Sequence, residues 1–376
     1  MGQGNVSKAA NRGQKPCRGI DTRPVSPAPP AAPFVSVIVP VRNEGRFIER
    51  TIKQLLGQDY PANRFEILVV DGQSSDLTRS LVEARAQGCL NLHLVENPRF
   101  LSSAARNIGI QQARGSLIVI VDGHCDLENG KYLRDLVDAF EQSGADCLGR
   151  PQPLGVEGAS ALQKAIAVAR ASWLGHHPDS FVYSSQEQFV PAKSVAVAYR
   201  RSVFDMVGLF DESFDACEDV ELNHRIDRAG LRCFFTPKIA IRYSPRSSLS
   251  ALFLQMARYG RGRVRLLRKH PDTFSAGGFL PAVWLAGVAL GPLAGLAWAP
   301  LWWIGGGALA LYLTVVGTTS ARLAFLKRKA WLMGLLPLIF LTVHAGSGYG
   351  VLFEFLRTRS PKHAPSAVLE SAPSAG

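Results

Sequence analysis

The apolar positions of the chain follow two regimes. Up to about residue 245 they come as short runs between polar, helix-patterned stretches; beyond residue 272 they are almost continuous. The run at 34–39 is apolar, β-branched and stopped by Pro40, the pattern of a buried strand. Ile48, Ile52, Leu55 and Leu56 then share one helical face. A second strand run at 65–70 ends at Asp71-Gly72, and Ser75-Asp76 offers a cap to a helix carrying Leu77, Leu81 and Val82. A weaker strand is expected at 91–95, a helix at 102–113, and a fourth strand at 117–121 ending at Asp122-Gly123.

Strands alternating with helices predict an α/β domain with a mostly parallel sheet covered on both faces. In such sheets ligands bind beyond the carboxyl ends of the strands. The polar residues that follow the strands therefore draw attention: Arg42 and Glu44 after the first, Asp71 after the second, and Asp122, His124 and Asp126 after the fourth. From 150 to 245 the pattern is mixed, with helices expected at 159–172 and 217–229 and strands at 194–199 and 231–236. An irregular stretch between them holds His176, His177 and Asp179.

Residues 273–321 contain no Asp, Glu, Lys or Arg. A spanning helix needs roughly 20 apolar residues, so two fit, the second starting at Pro300. A third apolar stretch at 330–353 holds His344 and several glycines and reads as a poorly packed span or a re-entrant segment. Arg322, Lys327, Arg328 and Lys329 mark a cytoplasmic loop, and two crossings place the N-terminal domain on that same side. Arg357, Arg359 and Lys362 pull against a third full crossing. The expected organisation is a disordered tail at 1–33, an α/β domain at 34–245, a basic amphipathic segment at 246–272, two to three spans within 273–356, and a disordered tail at 357–376. Basic residues without an apolar stretch precede Phe34, so a signal peptide is not expected.

Charge and cysteine content narrow the reading. Forty-two Lys and Arg stand against 30 Asp and Glu, a balance that suits an anionic ligand or membrane surface. Nucleic acid is not an expected partner, because the basic residues gather beside the apolar third and no recognition motif accompanies them. The six cysteines form no C-x-x-C pair, which argues against a zinc ribbon or a disulfide framework and fits a reducing compartment.

Taken singly, each polar candidate has two readings. Glu44 and Asp71 can accept hydrogen bonds from a ribose or a base, or simply serve their turns. Asp122 and His124, with Asp126 beyond, can hold a divalent cation, or form a turn. Glu218-Asp219 can supply a base to a reacting hydroxyl, or complement a helix dipole. The segment from Leu249 to His270 has an apolar face of Leu249, Leu252, Phe253 and Met256, followed by Arg258, Arg261, Arg263, Arg265, Arg268 and Lys269. That pattern suits an anionic membrane surface and equally a diphosphate clamp.

The order of the pieces is more specific than any one of them. VSVIVPVRNEGRFIERTIKQLL, EILVVDGQSSDLT, AARNIGIQQARGSLIVIVDGH and GLFDESFDACEDVELNHRIDRAG, read in succession, resemble the family-2 glycosyltransferases over about residues 34–236. The resemblance implies a GT-A fold, a nucleoside-diphosphate sugar donor, a divalent cation (Mg2+ or Mn2+) and inversion at the anomeric carbon. By position it implies that Pro40, Glu44, Asp71, Arg106 and Asp122 contact the nucleotide sugar. Asp122 and His124 fall at the metal-binding Asp-x-Asp element, and Asp219, with Glu218 beside it, at the catalytic base. His124 departs from the second acid of that element.

ARASWLGHHPDSFVYS, PAKSVAVAYRRSVF and SPRSSLSALFLQMARYGRGRVR further resemble bacterial exopolysaccharide transferases of the succinoglycan type. This implies glucose transfer from UDP-glucose to a polyprenyl-diphosphate-linked glycan at the inner membrane, beside other exopolysaccharide assembly proteins. Gln255, Arg258 and Tyr259 resemble the Gln-x-x-Arg-Trp element of related synthases, and with His176 and Asp179 are candidates for the acceptor side. Two alternatives remain: a processive synthase, which needs a larger membrane domain, and a catalytically degenerate scaffold, which the His124 departure favours.

Overall fold

A computed structural model describes residues 1–2, 32–127, 129–176 and 180–357. The chain divides between Ala32 and Pro33, and the sheets and helices all belong to the unit from Pro33 onward. Most of the two expected tails, together with His177 and Asp179, lies outside the described residues.

The first half alternates as its pattern predicts: β1 (Val35–Val41), α1 (Ile48–Leu56), β2 (Phe65–Asp71), α2 (Thr78–Ala86), β3 (Leu92–Glu96), α3 (Ser102–Gln112) and β4 (Leu117–Ile120). β1 is flanked by β2 and β4, and β2 by β3, all in parallel. Side chains on both faces of β1 and β2 are buried, so these strands read as continuous apolar runs rather than alternating ones. Val37, Val39 and Ile67 point into one core layer, and Ile38, Leu68 and Val70 into the other. α3 closes the second layer. A Cβ on its Gly109 would stand 2.5 Å from Ile38 Cγ2, so only glycine lets the helix approach β1 this closely.

The sheet then turns mixed. Beyond β4 it continues through β8 (Ala196–Arg200), β6 (Cys147–Gly149), β9 (Cys233–Phe235) and β7 (Gln188–Val190). β8 runs antiparallel to both β4 and β6. A separate ribbon pairs β5 (Cys125–Asp126) with β10 (Arg242–Tyr243). Between these strands lie α4 (Tyr132–Ser143), α5 (Ala161–Arg170), α6 (Arg201–Val207) and α7 (Glu218–Arg228). α5 starts at a capping box in which Ser160 and Gln163 bond reciprocally.

The last third is helical: α8 (Leu249–Lys269), α9 (Ala276–Ala297), α10 (Pro300–Leu326) and α11 (Leu332–Leu356). The last three are each long and apolar enough to cross a membrane. α9 and α10 expose most of their side chains, Leu290, Trp303 and Leu311 among them. α11 differs from the expected poorly packed stretch. It is a continuous helix lying parallel to α8, with a larger buried share than α9 or α10. Its glycines are the reason. A Cβ on Gly350 would stand 2.1 Å from Ala257 O, so the two backbones meet where side chains would hold them apart. The apolar face of α8 is covered in turn: Leu252 and Met256 pack with Ala165, Ile166 and Ala169 of α5 and with Leu336, Ile339 and Phe340 of α11. Arg265 closes the far end on Glu354, with Nε 2.9 Å from Oε1.

Candidate active site

A large cleft of about 4860 Å³ opens beyond the carboxyl ends of β1 and β4. Pro40, Glu44, Arg106, Asp122, His124, Glu218 and Asp219 all line it, and so do His176, Gln255, Arg258 and Tyr259. Residues scattered over more than half the chain thus meet at one place.

At the end of the sheet the loop after β1 is fastened to the segment after β2. Glu44 N donates to Thr78 Oγ1 at 2.7 Å and Gly45 N to Asp76 Oδ2 at 2.9 Å. Arg42 stacks its guanidinium 5.0 Å above the Phe100 ring at the rim. Asp71 is buried and turned into its own loop, accepting from Ser74 Oγ at 2.5 Å, and it does not line the cleft. Its carboxylate shapes the turn that follows β2.

Asp122 follows β4 and is held from three sides. Tyr243 Oη donates to its Oδ2 at 3.0 Å, Arg106 Nη2 lies 3.9 Å from Oδ1, and His124 is close by. Burial opposes ionisation of Asp122, but the charges of Arg106 and His124 and the Tyr243 hydroxyl outweigh it and hold the carboxyl below its ordinary range. His124 points Nδ1 at Glu44 Oε1, 2.9 Å away. Burial alone would push its pKa down, yet the Glu44 hydrogen bond and charge raise it above the ordinary value.

These residues fit a divalent cation. A metal-bound imidazole typically hands its other nitrogen to a carboxylate. Glu44 would play that part here, leaving Nε2 of His124 without a hydrogen-bond partner among the described residues. Asp122 would supply the hard oxygen donor. Asp126 is directed elsewhere: it accepts from Gln54, lies 3.7 Å from Arg50, and does not line the cleft.

The opposite wall is the start of α7. Cys217 precedes it in the left-handed conformation, φ 64°, which costs a non-glycine residue about 1 kcal/mol and turns the chain sharply into Glu218 and Asp219. Burial raises the pKa of Glu218 and the neighbouring Asp219 adds to that, while the cation of Arg106, with Nη1 3.2 Å from Glu218 Oε1, opposes it. Asp219 is exposed to the cleft, and among the described residues its Oδ1 accepts only from Val220 N, at 2.9 Å. The third acid of this turn, Glu221, is fully buried and bound by Arg225, Lys269 and His270, so its part is structural.

α8 packs directly on this turn. A Cβ on Gly262 would stand 2.6 Å from Cys217 Sγ, and Arg258 Nη2 donates to Asp215 O at 2.8 Å. Gln255 Nε2 donates to Tyr259 Oη at 3.3 Å. The Gln-x-x-Arg-Tyr element is therefore a wall of the same cleft. His176 is anchored by Nδ1 to Ser172 O at 2.8 Å, and burial holds its pKa low, so it presents a neutral imidazole.

Two site residues had no clear signal in the sequence. Arg150 is fully buried behind Asp122. It donates to Tyr132 Oη at 2.6 Å, to Ile120 O at 3.2 Å and to Tyr243 Oη at 3.5 Å, and Tyr243 passes the contact to Asp122. A lone arginine after a short apolar run was the only hint of Arg150. Tyr243 is brought to Asp122 by the β5–β10 ribbon, a pairing too short to show periodicity.

A parallel sheet ending in acids, a cleft with a metal-type donor pair on one wall and an exposed carboxylate on the other, and a basic helix closing the far side describe a nucleotide-sugar-dependent glycosyltransferase of the GT-A fold. The chain matches the family description "Glycosyl transferase family 2" over residues 36–204. It is 31% identical over 236 residues to the succinoglycan biosynthesis protein ExoA of Rhizobium meliloti, covering 62% of this chain and 70% of that protein. It is 28% identical over 239 residues to the glycosyltransferase AglE of Haloferax volcanii, covering 62% and 74%. Among solved structures, the mannosyltransferase PcManGT from Pyrobaculum calidifontis, in complex with GDP-Man and Mn2+, superposes with a TM-score of 0.57 over 89% of this chain and 90% of that one, at 21% identity. The protein belongs to glycosyl transferase family 2.

Proposed function

We propose that this enzyme is an inverting hexosyltransferase, moving glucose from UDP-glucose to a polyprenyl-diphosphate-linked glycan during exopolysaccharide assembly. The carrying observation is that the Asp122–His124 pair and the Glu218–Asp219 turn face one another across one cleft, with Arg106 reaching both. Pro40 and Glu44 lie where the nucleotide would enter, and Asp71 shapes that loop from behind. Asp122 and His124 would hold Mg2+ or Mn2+. When bound, the cation neutralises the diphosphate that leaves.

Asp219 is the base. Its exposed carboxylate takes the proton of the attacking hydroxyl as the new anomeric bond forms on the face opposite the departing UDP. Arg106 is the fixed cation of the donor side. Gln255, Arg258, Tyr259 and His176 line the acceptor side, and Asp179 is a candidate there too. The same cleft runs on to Leu280, Trp284 and Tyr312 of α9 and α10, a continuous route from polar site to apolar helices that suits a lipid-linked acceptor. The relationship to a succinoglycan biosynthesis protein supports the exopolysaccharide reading, and other proteins of such an assembly are proposed as partners.

The proposed location is the bacterial cytoplasmic membrane, multi-pass, with the α/β domain in the cytoplasm. Arg322, Lys327, Arg328 and Lys329 support that side for the loop after α10. The test presents purified enzyme in membranes with one labelled nucleotide sugar at a time and a diphosphate-linked acceptor. One glucosyl residue added from UDP-glucose supports the reading. Transfer only from another donor, or a ladder of products, contradicts it.

A further inference from the structure

A second set of metal-type donors lies outside the cleft. His224 of α7, His270 at the end of α8 and Asp272 in the turn Pro271–Thr273 each offer one donor atom, all within 4.8 Å of one another. His224 is almost fully buried, with a side chain 7% exposed. Its Nε2 has no hydrogen-bond partner among the described residues, although Asp272 Oδ2 stands 3.3 Å away without hydrogen-bond geometry. Donors about 2.1 Å from a tetrahedral ion are separated by about 3.4 Å, so the observed spacing suits an ion between them better than a direct bond.

The third donor is pre-oriented. His270 Nε2 lies 3.0 Å from Glu221 Oε1, which leaves its other ring nitrogen for an ion. Glu221 is itself fixed by Arg225 and Lys269. A carboxylate holding the far nitrogen of an imidazole is the usual support of a metal-bound histidine. The two rings lie close together, centroids 4.7 Å apart and planes tilted by 56°. Asp272 is half exposed, so an ion has a way in and water can complete its shell. Arg228 approaches the same Asp272 oxygen at 3.7 Å, but its side chain is 65% exposed and free to swing into solvent.

We propose that His224, His270 and Asp272 form a zinc-binding site separate from the catalytic cation. Two imidazoles and one carboxylate favour Zn2+ over Mg2+ or Ca2+. The ion would join three parts of the chain: the helix whose first turn carries Glu218 and Asp219, the end of α8, and the turn that leads into α9. It would thereby fasten the catalytic turn to the root of the apolar helices. Such a site would exist whatever donor and acceptor the cleft takes.

The test uses full-length enzyme in detergent, stripped with chelator, incubated with Zn2+ under excess Mg2+ and desalted. The wild type and His124→Ala should each retain one zinc per chain by atomic emission. His224→Gln and Asp272→Asn should lose it, with affinity at least about tenfold weaker. Zn2+ should raise the unfolding temperature of the wild type and leave that of Asp272→Asn unchanged. Co2+ in place of zinc should give the visible bands of a tetrahedral site in the wild type but not in His224→Gln or Asp272→Asn. Should His224→Gln fold poorly, the exposed Asp272→Asn carries the test. Zinc absent from the wild type, retained by Asp272→Asn at wild-type affinity, or lost in His124→Ala would each overturn the proposal.

Discussion

Arg106 Nη1 stands 3.2 Å from Glu218 Oε1, joining the third helix of the α/β half to the first turn of α7. Both side chains are nearly buried, and the same guanidinium reaches toward Asp122 at 3.9 Å. Burial disfavours the Arg106 cation, but the charges of Glu218, Asp122 and Asp219 outweigh it and raise its pKa. Arg106→Gln strips Glu218 of its counter-charge inside the protein. Breaking such a pair costs about 3 kcal/mol, and loss of a fixed donor-side cation lowers turnover by about 100-fold. Urea unfolding and single-turnover transfer measure the two effects separately. Unchanged values in both would deprive Arg106 of either role.

Glu44 braces His124 in the proposed metal site. Glu44→Gln should weaken Mn2+ binding by about 10- to 100-fold, read from the Mn2+ dependence of donor binding. The sign with pH is defined. The His124 pKa is raised in the folded protein, so the stabilisation from its charged pair with Glu44 is complete below 6.5 and fades as pH rises through the folded value. A cation competes with that proton, so Mn2+ affinity should climb over the same interval. His124→Asp should retain transfer, because an acid there restores the commoner oxygen donor.

Ser36, Glu66 and Arg114 form a polar staple beneath the sheet. Ser36 Oγ donates to Glu66 Oε1 at 2.7 Å, and Arg114 donates its backbone N–H to Oε1 and its Nε–H to Oε2, at 2.7 and 2.8 Å. Burial opposes ionisation of Glu66, but these donors lower its pKa overall. Its contribution is therefore complete above the ordinary value of 4.5 and lost as pH falls through the folded one. Glu66→Gln should destabilise the protein by about 2 kcal/mol at neutral pH. The gap from wild type should close in acid, as urea titrations across pH would reveal.

The packing of α11 predicts a contrast between glycines. Gly350→Val places side-chain atoms against Ala257 O, where even a Cβ would stand 2.1 Å away, and should lower the unfolding temperature in detergent by several degrees. Gly306→Ala on α10 meets nothing within 4 Å and should be neutral or slightly stabilising. Equal effects at both positions would contradict the close approach of α8 and α11.

Much of the fold and site was legible in the chain itself. The runs that became β1, β2 and β4 are apolar on both faces, and the acids after them lie where a parallel sheet collects its ligands. The order of four motifs then singled out Asp122, His124 and Asp219, which no periodicity distinguishes from turn and cap residues. What escaped depends on distance along the chain or on backbone approach. Tyr243 meets Asp122 across 121 positions through a two-residue ribbon. Asp71 and Asp126 resemble their ligand-type neighbours in sequence, yet hydrogen bonds turn Asp71 to Ser74, three residues on, and Asp126 to Gln54 of α1, 72 positions away. The glycines of α11 suggested loose packing because composition does not reveal that a second backbone lies against them.

The central claim is that Asp219 is the base of a glycosyl transfer within this cleft. The most direct measurement compares Asp219→Asn with wild type in donor binding and in transfer to a lipid-linked acceptor. Asp219 is exposed and its Oδ1 bonds to Val220 N, a contact that an asparagine oxygen can keep, so the fold should tolerate the change. Donor affinity should stay within about twofold of wild type while transfer falls by about 1,000-fold or more. Near-normal turnover by Asp219→Asn would contradict the assignment.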